Sequence, residues 1–350
     1  MVSNAQVTDL ATKEGKFSVF ERREWLASLM DCNLVDLGEA IDPSFTGIFT
    51  PEGEVGKVPP GVTEQFFSDA NHYYQGCDTG HTEWLLQNAF KHIEALRPDP
   101  LILDVGSGPG LSVIASLNLL QRPTVIASDI SPVLLRILKS NLANHPKGES
   151  VFSAVLDLNR PWFKKEKFDM VIGAAILHHL FEPQILVSNL FQSVKPGGSL
   201  VFFEPFENGH AVLSALIDLI IETSNRLPGL DKDAQEFLER MNSNYLTCGP
   251  KPVEKFAHID DKWTFTRQYF KEMADQLGAS LKIYPLYESS SPVTGMLTQF
   301  LRDAFGRDKT SLPDWAWGLV DRWEKRVSLG ALNDMLFAGG VIFTKPTGSC

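Results

Sequence analysis

A glycine-rich turn directly follows a run of apolar residues at 101–110, where the sequence reads LILDVGSGPG. An apolar strand that leads into a glycine turn is typical of a site for a nucleotide-like ligand, because glycine lets the backbone approach the ligand closely. A dinucleotide turn of the G-x-G-x-x-G type needs a small residue at position 111, so that the next helix can pack on the strand. Leu111 stands there instead, which disfavours a dinucleotide.

Side chains that can accept a proton stand at the predicted ends of two later strands. His178 and His179 follow the strand 168–173, and Glu204 follows the strand 199–203. Ligands of open α/β sheets bind beyond the carboxyl ends of the strands, so these side chains are candidates for chemistry. A histidine with a pKa near neutrality can accept a proton from a hydroxyl group. The alternative is that the histidines only pack at the strand end and that Glu204 binds a backbone amide.

Strands and helices alternate from residue 101 onward, which predicts a parallel sheet with helices on both faces. Ser131 and Pro132 mark the start of one of these helices, as the N-cap and the first helical residue. The predicted strands are 101–105, 124–128, 151–156, 168–173 and 199–203.

The segment before the sheet is predicted to be a helical cap. Apolar side chains recur at helical spacing in 17–30. A second helix is predicted from about residue 82 to 96, where Pro98 and Pro100 mark its end. Between them, 42–61 is rich in Pro and Gly and is predicted to be a loop. We therefore divide the chain into an N-terminal helical segment, 1–97, and a main domain, 98–350.

Two helical insertions are predicted after the fifth strand, at about 207–261 and 288–338. They flank a predicted strand at 281–287, and the last apolar strand is 339–344. Both insertions could form lids that exclude water from a site, although Trp and Phe side chains in such segments more often belong to a core.

Composition excludes several classes of protein. The chain has 350 residues, of which 43% are apolar and 21% charged, as in ordinary globular proteins. Its net charge of −11 would repel a nucleic acid backbone. Four cysteines without a C-x-x-C pair predict neither a zinc site nor a disulfide framework, which favours the reducing cytoplasm. We find no secretory signal, and the longest apolar stretch, 211–221, is shorter than the about 20 residues of a membrane helix.

Two stretches resemble a known family. DVGSGPG at 104–110 is similar to the first motif of the class I S-adenosylmethionine-dependent methyltransferases, whose loop bends around the amino acid end of the cofactor. LHHL at 177–180 is similar to a stretch of many small-molecule methyltransferases, at the place where the methyl acceptor approaches. The resemblance covers about 101–205. It implies a Rossmann-like, doubly wound α/β sheet of seven strands, the last one antiparallel, with S-adenosylmethionine as the cofactor.

The resemblance also implies roles for single residues. Asp129 would bind the ribose hydroxyls, since a carboxylate accepts two hydrogen bonds from a cis-diol. Asp157 would lie next to the adenine, and Asp104 would hold the cofactor's amino group or fasten the glycine loop. A tyrosine of the N-terminal segment would cover the cofactor. The expected cofactor contacts are Tyr73, Tyr74, Asp104, Gly106, Ser107, Gly108, Gly110, Asp129, Ile130, Asp157, Leu158 and Ala174.

The predicted activity is methyl transfer to a small-molecule acceptor, without a metal ion. An oxygen acceptor is preferred, because His178, His179 and Glu204 are candidate bases. N- and C-methylation stay open, as do an NAD-dependent oxidoreductase and a protein that binds S-adenosylmethionine without methylating. A small-molecule acceptor is the expected partner, with no nucleic acid and no membrane, and a homodimer is compatible with the sequence.

Overall fold

A single sheet organises the protein in the computed structural model, which describes residues 17–58, 79–94, 96–244, 261–305 and 311–348. Nine strands of these residues form the sheet. In chain order they are β1 (Leu34–Asp36), β2 (Ile48–Pro51), β3 (Leu101–Val105), β4 (Thr124–Asp129), β5 (Val151–Val155), β6 (Phe168–Ala174), β7 (Val194–Pro205), β8 (Ser280–Pro285) and β9 (Ala338–Thr344). From edge to edge they follow the order β1-β2-β5-β4-β3-β6-β7-β9-β8.

Helices cover both faces of this sheet. The α-helices among the described residues are α1 (Val19–Ser28), α2 (Leu37–Ala40), α3 (Thr79–Phe90), α4 (Leu111–Leu119), α5 (Pro132–Leu142), α6 (Pro183–Ser193), α7 (Glu207–Ser224), α8 (Lys232–Asn244), α9 (Arg267–Leu277), α10 (Pro292–Phe305), α11 (Asp314–Glu324) and α12 (Leu329–Asp334).

The strand order reverses at β3, which lies between β4 and β6 and is parallel to both. The chain runs outward from β3 through β4 to β5 and then crosses back to β6 and β7, all of them parallel. In open α/β sheets, such a reversal opens a crevice at the carboxyl ends of the strands, where ligands bind. The glycine turn after β3 and the histidines after β6 both lie at this edge.

Two hydrophobic cores lie on the two faces of the sheet, because successive side chains of a strand point to opposite faces. On β3, Leu103 and Val105 belong to one cluster and Ile102 to the other. On β4, Ile126 joins the first cluster and Val125 the second. The doubly wound α/β architecture predicted from the sequence is thereby confirmed.

The chain before residue 98 departs from the sequence prediction. It adds the antiparallel pair β1 and β2, so the described residues alone form nine strands and the predicted count of seven was wrong. β2 lies inside the Pro- and Gly-rich segment predicted to be a loop. All four of its residues are buried, and it pairs with β1 on one side and with β5 on the other. Pairing on both sides stabilises a strand that local composition disfavours.

The carboxyl-terminal strands agree with the prediction. β9 is antiparallel to both of its neighbours, β7 and β8. The register joins Ser280 of β8 to Thr344 of β9, and Ser199 of β7 to the same Thr344. A long insertion between β8 and β9 therefore leaves their pairing intact.

The two predicted insertions pack against each other. Helices α7, α8, α10 and α11 contribute buried side chains to a third hydrophobic cluster, which includes Leu213, Leu238, Leu297 and Val320. Several aromatic residues of the second insertion pack on this cluster, as expected for a core. None of the described helices has the length and apolar character needed to cross a membrane.

Candidate active site

The glycine turn after β3 has a backbone that only glycine adopts readily. Gly106, Gly108 and Gly110 have φ angles of 65°, 50° and 98°. A Cβ atom on Gly110 would collide with the side chain of Leu138, whereas one on Gly108 would have no atom within 4 Å. The turn is therefore packed against α5 at its end and open above Gly108.

Helix α4 begins directly at this turn and has no side-chain cap. Its N-cap is Gly110, and its first turn carries no acidic residue. Unpaired N–H groups at a helix start attract negatively charged groups. The start of α4 can therefore bind an anionic part of a ligand that lies over the turn.

Asp129 holds the turn in place. Its Oδ2 accepts the N–H of Gly108 at 2.8 Å, and its Oδ1 accepts the N–H of Ser131 at 2.8 Å. Burial raises the pKa of Asp129, against the effect of these backbone hydrogen bonds. An ionised carboxylate offers about four acceptor positions, so Asp129 can still accept a hydrogen bond from a ligand.

Asp104 is a buried carboxylate near the end of β3, with the hydroxyls of Ser107 and Ser112 close enough to affect its pKa. It is 1% exposed, and neither of its oxygens has a hydrogen-bond partner among the described residues. The Ser107 hydroxyl donates to the backbone carbonyl of Asp104 at 3.0 Å instead. Burial raises the pKa of Asp104 to about 7, although the hydroxyls of Ser107 and Ser112 lower it. Because buried carboxylate oxygens nearly always have a hydrogen-bond partner, we expect a ligand to donate hydrogen bonds to Asp104.

The other predicted cofactor contacts are placed as follows. Asp157 follows β5, is half-buried, and accepts the N–H of Asn159 at 3.0 Å. Leu158 is buried in a hydrophobic cluster, and Ile130 and Ala174 are half-buried at the ends of β4 and β6. Tyr73 and Tyr74 lie outside the described residues.

Glu204, at the end of β7, organises the turn after β6. Its Oε1 accepts the N–H groups of Ile176 and Leu177 at 3.1 and 2.8 Å. Its Oε2 lies 3.3 Å from the N–H of His178 and 2.7 Å from Nδ1 of the same residue. Glu204 is 1% exposed. Glu204 therefore accepts hydrogen bonds from backbone amides and contacts His178, and its role as a base or acceptor-orienting group stays a prediction.

Backbone strain at Ala175 makes this turn possible. Ala175 has a φ of 57°, in the left-handed region that side chains other than glycine seldom adopt. Its N–H donates to the carbonyl of Phe203 at 3.1 Å. This left-handed conformation turns the chain, so that the backbone N–H groups of the next three residues point toward Glu204. The same turn contacts the glycine loop, since a Cβ on Gly106 would lie 2.7 Å from Cδ1 of Ile176.

A carboxylate that the sequence analysis missed completes the site. Oδ1 of Asp261 lies 3.4 Å from Nε2 of His178 and 3.6 Å from Nδ1 of His179. Burial by itself lowers the pKa of His178, but the hydrogen bonds and charges of Asp261 and Glu204 outweigh it and raise the pKa to about 10. The ligand atoms of His178, His179 and Asp261 lie within 4.8 Å of one another, a spacing that could also hold a metal ion.

Comparisons with known proteins find methyltransferases. A family model described as a methyltransferase domain matches residues 102–198. The malonyl-[acyl-carrier protein] O-methyltransferase of Halalkalibacterium halodurans is 25% identical over 268 residues, which cover 72% of this chain and 93% of the relative. The ubiquinone/menaquinone biosynthesis C-methyltransferase UbiE of Wigglesworthia glossinidia brevipalpis is 27% identical over 125 residues, 35% of this chain and 49% of the relative.

A solved structure shares the fold. A chain in the complex between the Haloferax volcanii Trm112 methyltransferase activator and a methyltransferase superposes with a TM-score of 0.50 at 13% identity. The match covers 81% of this chain and 99% of that chain. The family match over residues 102–198 and the methyltransferase relatives support a class I S-adenosylmethionine-dependent methyltransferase.

Proposed function

We propose that this protein transfers the methyl group of S-adenosylmethionine to a hydroxyl oxygen of a small-molecule acceptor. The observation that carries the proposal is the contact between His178 and Glu204, 2.7 Å apart, in a turn that touches the glycine loop. A group that can accept a proton thus stands next to the loop expected to hold the cofactor. The O-methyltransferase relative, which the chain covers almost completely, supports oxygen as the acceptor atom.

The residues around the loop fit the cofactor. Neither oxygen of the buried Asp104 carboxylate has a hydrogen-bond donor within the described part of the chain, and the cofactor's amino group would supply one. The uncapped start of α4 suits its carboxylate, and Asp129 can still accept a hydrogen bond from its ribose hydroxyls. When bound, S-adenosylmethionine supplies an electrophilic methyl carbon. The chain's task is to place the acceptor oxygen about 3 Å from that carbon, in line with the bond to sulfur.

Two glycines of the loop allow a matched test of this arrangement. Gly108→Ala is expected to weaken the binding of S-adenosylhomocysteine about tenfold or more, because its methyl group would enter the open space above the turn. The cost in unfolding free energy should be about 1 kcal/mol, from the positive φ alone. Gly110→Ala should destabilise the protein more, since Leu138 must also move. Calorimetry and urea unfolding measure the two effects, and unchanged affinity in Gly108→Ala would contradict the assignment.

Asp104→Asn is expected to change how the stability of the ligand-free protein depends on pH. The pKa of Asp104 is raised from 3.8 to about 7, so between these values the folded protein keeps a proton that the unfolded chain releases. The stability that this group contributes is complete below about pH 4 and is lost as the pH rises to about 7. Asn does not titrate. From pH 5 to pH 8, the native protein should lose about 2 kcal/mol more unfolding free energy than the variant.

Urea unfolding at the two pH values measures this difference. Asp233→Asn, a change of the same charge at an exposed position of α8, is the control and should follow the native protein. Asp104→Asn should also weaken cofactor binding, because an amide is a poorer partner for an ammonium group than a carboxylate. Equal losses of stability in all three proteins would refute the buried, protonated state of Asp104.

The proton of the acceptor hydroxyl goes to His178 in this proposal. In the neutral ring, Glu204 accepts the hydrogen on Nδ1 of His178 and the lone pair lies on Nε2. Because the pKa of His178 is raised to about 10, this neutral form is the minor one near pH 7 and increases as the pH rises, and turnover should rise with it. Nε2 takes the hydroxyl proton as the oxygen attacks the methyl carbon. The carbon–sulfur bond breaks, and the products are a methyl ether and S-adenosylhomocysteine. Glu204 stabilises the imidazolium that forms.

A hydroxyl acceptor fits this site better than a carboxylate acceptor. A carboxylate is ionised at neutral pH and needs no base. It would also approach a ring that already lies between the carboxylates of Glu204 and Asp261, which would repel it. The requirement for a base therefore distinguishes the two kinds of oxygen acceptor.

The test uses methyl-labelled S-adenosylmethionine and a panel of alcohols, phenols, carboxylic acids and malonyl thioesters, with mass spectrometry to locate the label. For a hydroxyl acceptor, His178→Gln should lower turnover about a hundredfold or more without changing cofactor affinity. His92→Gln, at an exposed position, is the control. Label on nitrogen or carbon would refute the proposal, as would a carboxylate methylated equally fast by His178→Gln.

A further inference from the structure

The imidazole of His178 lies between two carboxylates that differ in their surroundings. Glu204, on the Nδ1 side, is buried at the end of β7 and is fixed by three backbone amides. Asp261, on the Nε2 side, has a side chain that is 59% exposed. The Nε2 side is the one that an acceptor must reach. Asp261 therefore stands where the acceptor hydroxyl would bind.

The backbone around Asp261 is tied to the histidine turn. The N–H of Lys262 donates to the carbonyl of His178 at 2.7 Å, and Nε1 of Trp263 donates to the carbonyl of Leu180 at 2.7 Å. The N–H of Phe265 donates to the carbonyl of Pro205 at 2.9 Å. These bonds fix the main chain beside the turn, while the exposed carboxylate can still rotate away.

We propose that Asp261 is a positioning residue of the acceptor site, whose carboxylate holds the Nε2 side of His178 until an acceptor hydroxyl takes its place. This inference rests on the proposed function, because it assumes that His178 faces the acceptor. The segment after residue 260 would then have two roles: its backbone holds the histidine turn, and its Asp261 side chain positions His178. The sequence alone did not connect this segment with the histidines.

The charges around the ring give this contact a chemical consequence. Among the described residues, the side chains shown against the His178 ring are Glu204 from β7, Asp261 from the segment before α9, and His179 from the same turn. Lys262 contacts His178 through its backbone N–H, and its ammonium group lies over the ring of Phe181. Two carboxylates favour a protonated ring, and both of its N–H groups then have an acceptor. When an acceptor hydroxyl takes the place of Asp261, one of the two charges that favour the proton on Nε2 is removed, so the pKa of His178 falls and the ring gives up that proton more readily.

The titration of His178 can be measured without an acceptor. Carbon-13 labelling of the histidine rings allows the eight histidines to be followed by NMR as the pH is changed, and His178→Gln assigns the signal by its loss. Asp261→Asn should lower the pH at the midpoint of the His178 titration by about 1 unit. This is at the low end of the shifts that a nearby opposite charge causes, because Asp261 is largely exposed to solvent. In Asp261→Glu, which keeps the negative charge, the midpoint should lie close to that of the native protein. Glu182→Gln, an exposed change of the same charge near the turn, should leave it unchanged.

Two results would overturn the inference. One is a midpoint for His178 that stays the same in Asp261→Asn. The other is a stoichiometric metal ion in the purified protein whose removal by a chelator shifts the histidine signals, since the ring nitrogens would then be metal ligands. A failure of the proposed function looks different: the shift in Asp261→Asn would be present, while no hydroxyl acceptor would be methylated.

Discussion

Glu204→Gln is expected to lower the free energy of unfolding by about 3 kcal/mol and the rate of methyl transfer about a hundredfold or more. The carboxylate of Glu204 meets four donors, which are three backbone N–H groups and Nδ1 of His178. An amide presents one oxygen and one NH₂ group, so at least one buried donor would face another donor. The cost is that of an unsatisfied buried group together with a lost charge-assisted hydrogen bond.

Urea unfolding measures the first effect and the labelled methyl assay the second. Glu182→Gln removes the same charge from an exposed position before α6 and should change the unfolding free energy by less than about 0.5 kcal/mol. The affinity for S-adenosylhomocysteine should be nearly native in both variants if the turn still packs on the glycine loop. Native stability of Glu204→Gln would show that the turn after β6 forms without its carboxylate.

Local patterns were sufficient to predict the central part of the fold. The strands β3 to β7 are short apolar runs with turns between them, and α5 begins with Ser131 as its N-cap, as predicted. Glu204 and His178 were expected at one sheet edge because parallel strands end there together. Their hydrogen bond confirms this reasoning, which requires only the strand positions and not the details of packing.

The missed features depend on contacts that no local pattern reveals. β2 is a strand because β1 and β5 supply partners on both sides, while its own sequence is flanked by Pro and Gly. Asp261 reaches His178 because backbone bonds join two segments far apart in the chain. Nothing in the local sequence around Asp261 indicates that it will contact His178. Features that depend on contacts between distant segments of the chain, such as β2 and the Asp261 contact, could therefore not be predicted from the sequence.

Binding the backbone and binding another group are not exclusive roles for a carboxylate in this site, although the sequence analysis treated them as alternatives. A carboxylate has about four acceptor positions, so one side chain can fasten a loop and still bind a ligand. Glu204 binds backbone amides and a histidine at once. Asp129 uses two of its positions for the backbone, and the sequence cannot show how many remain.

The remaining positions of Asp129 lead to the second large prediction. Asp129→Ala is expected to weaken the binding of S-adenosylhomocysteine about a hundredfold, equivalent to about 2.7 kcal/mol. Two contributions add up: the ribose hydroxyls lose an acceptor, and the N–H groups of Gly108 and Ser131 lose theirs, which loosens the loop. Asp157→Ala, which removes a half-buried carboxylate bonded to Asn159, should weaken binding less than tenfold.

A cofactor analogue separates these two contributions. S-adenosylhomocysteine without the ribose 2′-hydroxyl should bind the native protein about tenfold more weakly, because Asp129 then loses one hydrogen bond to the ligand. In Asp129→Ala there is no carboxylate left to lose that bond, so the two ligands should bind almost equally. If the analogue is penalised to the same extent in both proteins, Asp129 acts only by fastening the loop, and the ribose must be bound by other residues. Calorimetry of the four combinations therefore decides whether this carboxylate contacts the cofactor or only shapes its site.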